Sequence, residues 1–258
     1  DEKTLEYQPG ASLIDTDGMT ETFSYTIRDR VTGGLMDTAT LTITVVANQP
    51  PVAANIDGGT TDEDTSQNVL VADLIAAATD NENDPITLNS FDMTSANGAS
   101  ITLSGDQTTL IFDPSGAATL QALSVGGAPL VDTFTYTLTD GTSASDPATI
   151  SITVTPVNDA PIGVDDSGAN FTTNEDSSLT QVAAMGVLDN DTDVDTSDVL
   201  VVSQVNGSAA NVGSQITLGT GALLTVNADG GFTYDPNGQS ESLAVSEMTT
   251  DTFTYTVS

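Results

Sequence analysis

Cysteine, histidine and tryptophan are absent from this chain of 258 residues. Their absence removes disulfides, thiol nucleophiles, zinc sites and every catalytic arrangement that needs an imidazole. Basic residues are almost absent too: Lys3, Arg28 and Arg30 are the 3 cations set against 37 aspartates and glutamates, a formal net charge of −34. Binding phosphate needs a basic surface, so nucleic acid is excluded as a partner. An anionic membrane surface would repel such a chain. No apolar run approaches the roughly 18 residues that span a bilayer, and the N-terminus shows no charged-then-apolar signal pattern, so no membrane insertion is expected. Glycoside hydrolysis would place paired carboxylates in a cleft lined with aromatics. Aromatic residues make up 5% of the chain, and no enzyme is read here.

Acidic chains poor in aromatics are often disordered, but here 38% of the residues are hydrophobic, alternating with Thr and Ser in strand-like runs. A folded domain with this excess of carboxylates needs neutralising ions. Hard divalent cations are expected to supply them, and calcium can replace the disulfides that hold many extracellular domains together.

What the sequence does contain is repetition. Thr22-Phe23-Ser24-Tyr25-Thr26-Ile27 returns as Thr133-Phe134-Thr135-Tyr136-Thr137-Leu138 and again as Thr252-Phe253-Thr254-Tyr255-Thr256-Val257, at spacings of 111 and 119 residues. Asn48-Gln49-Pro50-Pro51 returns as Asn158-Asp159-Ala160-Pro161, and Asp62-Glu63-Asp64-Thr65 as Asn174-Glu175-Asp176-Ser177. A period of this size is one small domain, longer than a solenoid turn of roughly 20–50 residues. The expected units are 1–47, the closing part of a first repeat from Tyr7-Gln8-Pro9-Gly10 onward; 48–157, a complete second repeat; and 158–258, a third lacking its last strand. Both ends are expected to cut a domain of a longer chain.

Period-2 alternation in Thr133–Leu138 and Ala148–Val154 indicates half-buried strands, and short strands punctuated by Gly, Asn, Asp and Pro indicate an all-β sandwich of about seven strands per unit. In unit three, strands are expected near 179–188, 199–205, 215–226, 231–235 and 251–257. Helical turns are expected over Leu120–Leu123 and Leu243–Met248. The paired Phe and Tyr residues read as core and sheet-face positions. Asp113 and Asp235, each before a proline, read as turn formers.

The remaining acids cluster. If strands run up and down in simple order, the linker joins opposite ends of successive domains. Glu63 and Asp64 from the foot of unit two then meet Asn158 and Asp159 of the linker and Asp193 and Asp195 from the head of unit three. Six oxygen-bearing side chains suit Ca2+, which takes six to eight oxygen ligands in irregular geometry. The first junction should use Asn48, Asp80, Glu82 and Asp140, with a weaker site because Gln49 stands where the second linker has Asp159. Glu175 and Asp176 would serve a third junction.

Val157-Asn158-Asp159-Ala160-Pro161, Asn174-Glu175-Asp176, the run Leu188 to Asp195, Gly231-Phe232-Thr233-Tyr234-Asp235-Pro236 and Asp251 to Val257 together resemble the VCBS and bacterial cadherin-like tandem repeats of giant RTX-type surface adhesins. The resemblance implies Ig-like or cadherin-like sandwiches in a linear array, exported in many cases by type I secretion. It implies a cell-surface stalk stiffened by calcium between its units, serving adhesion or biofilm attachment. Expected partners are calcium ions and neighbouring repeats. Other copies of the chain or surface glycans would be partners if it were a filament or sheath subunit, or a glycan or homophilic binding module.

Overall fold

The computed structural model describes residue 6, residues 19–29 and residues 32–258. Tyr7-Gln8-Pro9-Gly10, Lys3 and Arg30 lie outside the described residues. Among the described residues, unit one is a Thr-rich antiparallel hairpin of β1 (Met19–Arg28) and β2 (Met36–Val45), with Phe23 opposite Leu41 and Tyr25 opposite Ala39. Tyr25 is 48% exposed, whereas its counterpart Tyr136 is 1% exposed. The difference reflects the second sheet that covers Tyr136 in unit two.

Seven strands build that unit: β3 (Ile56–Asp62), β4 (Gln67–Leu70), β5 (Thr87–Phe91), β6 (Ser100–Leu103), β7 (Thr109–Asp113), β8 (Leu130–Thr139) and β9 (Ala148–Thr155). They form one sheet in the order β3-β9-β8-β5 and a second in the order β4-β7-β6. Asp132, Phe134, Tyr136 and Leu138 point inward from β8, as do Ala148, Ile150, Ile152 and Val154 from β9. Phe112 of one sheet stacks on Phe134 of the other at 6.5 Å between ring centres. Burying each such side chain contributes roughly 1.5–3 kcal/mol.

Two short helices complete the unit. α1 (Val71–Ala77) buries Val71 and Leu74, three residues apart on one helical face, and delivers the chain to the acidic loop Asp80–Asp84. α2 (Ala118–Gln121) is the helical turn expected near Leu120, and Leu120 is fully buried.

Unit three repeats the plan with β10 (Leu179–Gln181), β11 (Val202–Val205), β12 (Ile216–Thr217), β13 (Leu223–Val226), β14 (Phe232–Asp235) and β15 (Tyr255–Val257). Its sheets run β10-β14-β13-β12 and β11-β15 around Val187, Val202, Leu224 and Phe232. Four expectations are corrected, the first being that the strand near 251–257 begins only at Tyr255. The strand near 179–188 stops at Gln181 and yields to a 3-10 turn over Ala183–Met185. The next residue is Gly186, where an added Cβ would lie 2.1 Å from the Gly230 carbonyl oxygen. That close crossing needs glycine. The segment 215–226 is a hairpin, because Gly221 takes a φ of +98° between its two halves. Residues 243–248 form turns, without a helix.

Asp132 shows how this fold satisfies a buried carboxylate. It accepts hydrogen bonds from the Ser95 hydroxyl, from the Asn97 backbone N–H and side-chain amide at 3.0 and 2.9 Å, and from the Thr133 N–H at 2.8 Å. Its counterpart Asp251 accepts from the Thr220 hydroxyl at 2.7 Å and the Tyr234 hydroxyl at 2.6 Å. Burial and the Asp251 carboxylate push Tyr234 up to about 12. Asp132→Ala orphans donors buried in unit two and is expected to lower its stability by roughly 1–3 kcal/mol in urea unfolding. An unchanged midpoint would contradict this account of the buried acid.

Candidate metal centre

The second junction begins with a strand pairing. β3 runs parallel to β9, with Asp62 beside Thr155. Acids that follow β3 therefore leave the sheet at the same end as the linker that follows β9. The Glu63 N–H extends the ladder by donating to the Thr155 carbonyl at 3.2 Å. A tight turn follows, in which the Asp64 N–H donates to Asp62 Oδ1 at 3.2 Å and the Thr61 hydroxyl to the Thr65 carbonyl at 2.6 Å. Glu63 is fully buried. Its Oε1 accepts the Val157 N–H at 2.5 Å, and its carbonyl accepts the Gln121 amide at 2.6 Å.

Linker and head loop are joined by backbone donors. The Asp159 N–H donates to Asp195 Oδ2 at 2.8 Å, and the Asp195 N–H to Asp193 Oδ1 at 2.9 Å. Ile162 and Thr192 exchange backbone hydrogen bonds at 2.7 and 3.1 Å, which pins the linker to the loop. Asp195 is 1% exposed. Of the six residues expected here, Glu63, Asp64, Asp159, Asp193 and Asp195 are gathered within electrostatic reach of one another. Asn158 is exposed and donates its amide to the Asp159 carbonyl at 2.7 Å.

Glu63 Oε2, Asp159 Oδ2 and Asp195 Oδ1 are buried without a hydrogen-bond partner. Asp132 shows that the fold can fully satisfy a buried acid, so these three oxygens mark a different environment. Burial first, then the charges of Asp195, Asp159 and Asp64, raise the Glu63 carboxyl above its ordinary value, against the Val157 hydrogen bond. Asp159 is raised by burial and by Asp64, Asp195 and Asp193. Residues 31–258 contain no Lys, Arg or His, so no side chain of units two and three can neutralise them. Among the described residues no three acidic side chains are closed into a metal cage. The acids are gathered but not closed, and an all-oxygen donor set with orphaned, buried atoms fits a hard divalent cation.

The first junction has the same wiring with fewer acids. The Gln49 N–H donates to Glu82 Oε2 at 3.3 Å, and the Glu82 and Asp84 N–H groups both donate to Asp80 Oδ1 at 3.0 Å. Val52 and Thr79 exchange the bonds that Ile162 and Thr192 exchange at the second junction. The Asn48 amide donates to Asp140 Oδ2 at 2.9 Å. Hydrogen bonds from Ser143, Asn48 and Thr142 hold Asp140 below the usual carboxylate range. Asp80 Oδ2 is the one buried orphan oxygen here among the described residues. Glu175 and Asp176 sit in a turn like that of Glu63 and Asp64, with the Asp176 N–H on Asn174 Oδ1 at 3.1 Å. Glu175 is half-buried and Asp176 exposed. Asp113 and Asp235 accept the N–H two residues on, from Ser115 and Asn237, as turn formers do.

Sequence reasoning missed Asp166 and the polar role of Tyr255, which it assigned to core and sheet-face positions. The Tyr255 hydroxyl donates to Asp191 Oδ1 at 3.1 Å, and Asp166 Oδ2 and Asp191 Oδ2 are further buried orphans. Asp191, Asp193 and Asp195 alternate along the loop, and that alternation was the available signal.

Raised carboxyls make stability depend on pH. The folded chain holds protons on Glu63 and Asp159 more tightly than the unfolded chain, whose values lie near 4.5 and 3.8. Their stabilising contribution is full below those values and is lost as pH rises through the raised ones. Chelator-treated protein is expected to melt at higher temperature as pH falls from neutral toward that window, and Asp159→Asn is expected to flatten the trend. A slope unaffected by Asp159→Asn would contradict the shift.

Residues 48–153 match the family described as bacterial Ig domain, and residues 158–258 the family described as bacterial cadherin-like domain. No curated protein matches the sequence. Among solved structures, "Crystal Structure of Protocadherin Gamma C5 EC1-3" is 15% identical with a TM-score of 0.35, over 83% of this chain and 66% of that one. "Structure of mouse clustered PcdhgC3 EC1-3" is 14% identical with a TM-score of 0.28, over 86% and 66%. The chain thus spans about two thirds of the length of each. It is an all-β tandem array whose second unit is similar to bacterial Ig domains and whose third is similar to bacterial cadherin-like domains.

Proposed function

We propose that this chain is a non-catalytic spacer of an extracellular bacterial adhesin, in which calcium bound between units two and three turns a flexible joint into a stiff one. The observation that carries the reading is the junction itself: Glu63, Asp159 and Asp195, supplied by a strand end, a linker and a loop, each bury an oxygen without a partner. Glu63, Asp64, Asp159, Asp193 and Asp195 would hold the ion, with Asn158 at the exposed rim. Asn48, Asp80, Glu82 and Asp140 would hold a weaker one at the first junction. Glu175 and Asp176 would act where a further unit follows. A bound divalent cation supplies the positive charge that the chain lacks. With units taken as 48–157 and 158–258, an ion at the second junction would lie between them, and its occupancy would govern their relative motion.

Mass action sets the switch. For a dissociation constant of about 10⁻⁴ M, typical of extracellular calcium modules, free calcium at about 100 times that value stabilises the bound state by roughly 2.7 kcal/mol. Where calcium is scarce the joints would stay loose, which suits export by type I secretion. Burial of Phe134, Tyr136 and Phe232 in the cores favours a spacer over a glycan platform, which would present aromatics at the surface.

Thermal melting with Asp159→Asn tests the assignment through a change of sign. Without calcium the substitution removes a repelling charge and is expected to raise the stability of the junction, by up to about 1 kcal/mol. With calcium it removes a ligand and is expected to lower the melting temperature relative to wild type. The same direction of change in both conditions would contradict the role of Asp159, and a wild-type melt insensitive to calcium would remove the proposal.

A further inference from the structure

Asp166 and Asp191 form a second set of unsatisfied acids inside unit three. Asp191 is 8% exposed. Its Oδ1 accepts the Val164 N–H at 2.7 Å and the Tyr255 hydroxyl at 3.1 Å, while its Oδ2 is buried and unpartnered. Asp166 is half-buried, with its Oδ2 in the same state. The Asn190 amide donates to the Val164 and Asp165 carbonyls, both at 3.2 Å, and so clamps the segment that carries Asp166 against the loop that carries Asp191.

Three comparisons separate this pair from ordinary buried acids and from the junction. Asp132 receives four hydrogen bonds from three residues. Here two carboxylates share a tyrosine hydroxyl and a single backbone donor. Asp166 is pushed up to about 6 by burial first and then by Asp191, Asp165 and Asp189, against the Tyr255 hydroxyl. The charges that act most on Glu63 are Asp195, Asp159 and Asp64, and on Asp159 they are Asp64, Asp195 and Asp193, a different group although one loop serves both sets.

We propose that unit three carries its own hard-cation site, in which Asp166 and Asp191 take a calcium-class ion beside the Tyr255 hydroxyl. With no Lys, Arg or His anywhere in residues 31–258, the pair takes such an ion, a proton or a donating water. The ion is favoured because it opposes both charges and takes oxygens from three separate segments, those of Asp166, Asp191 and Tyr255, whereas a water leaves both charges unopposed and a shared proton leaves one. Oxygen-only donors in an irregular loop suit calcium better than magnesium, which demands a strict octahedron. The ion would tie the loop that leads into the junction to the start of unit three and to β15. It does not depend on the junction being occupied.

Terbium, which accepts calcium's oxygen ligands and emits when an adjacent tyrosine is excited, tests this on the full chain. Tyrosine-sensitised emission that calcium displaces is expected. Tyr255→Phe should lose that emission while retaining the bound ions counted by equilibrium dialysis. Asp166→Asn should lose both the emission and one calcium per chain, while Asp159→Asn should keep the Tyr255-dependent emission even if the junction ion is lost. Emission and calcium count unchanged in a folded Asp166→Asn chain would overturn the proposal and leave a proton-sharing pair. If Asp166→Asn does not fold, equal emission from wild type and Tyr255→Phe overturns it as well. Loss of calcium-dependent stiffening with retained Tyr255-sensitised emission would sink the junction reading alone.

Discussion

Burying a carboxylate requires donors, a proton or a cation, and this chain has no cationic side chain after Arg30. An unpaired buried charge is costly enough that proteins ordinarily neutralise or pair it. Where the structure means to bury an acid by itself, it supplies donors, as the Ser95, Asn97 and Thr133 groups around Asp132 show. At Glu63, Asp159 and Asp195 it supplies one backbone N–H to each of two acids and leaves three oxygens bare. The contrast within one molecule separates acids that the fold satisfies from acids whose buried oxygens it leaves without a partner.

Topology decides where those acids meet. If β3 ran antiparallel to β9, the end of the first strand and the end of the last would lie at opposite ends of the domain. Parallel pairing of β3 with β9 brings both ends to the foot of the domain. The linker starts there, and its bridge to Thr192 delivers it to the head loop of the next unit. The Val52 bridge to Thr79 repeats that arrangement at the first junction, so the joint recurs as a module, and the identity of one linker residue, Gln49 or Asp159, alters its charge.

The strands were legible where one period dominates. β8 and β9 bury alternate residues along their length, and the Thr-Phe-x-Tyr phrase lies on β1 and β8 and runs into β15 at its tyrosine. Unit three was harder because its strands are two to four residues long, too short to establish a period, and because glycines set its corners. The gathering of Glu63, Asp159, Asp193 and Asp195 followed from a simple up-and-down strand order, which brings foot, linker and head loop to one junction. Asp166 and Tyr255 did not, since a tyrosine in an alternating strand reads as core and its hydroxyl's partner lies 64 residues away in Asp191.

The central claim is that an ion fixes the angle between units two and three, and it is tested most directly by measuring that angle's spread. The absence of native cysteine allows spin labels at Thr102→Cys on β6 and Thr180→Cys on β10, both exposed, with pulsed dipolar distances recorded in calcium, magnesium and chelator. The account predicts a broad distribution in chelator and in magnesium that narrows to one distance in calcium, and that stays broad in calcium when Asp159 is replaced by Asn. A distribution equally narrow, or equally broad, in all three conditions would contradict it.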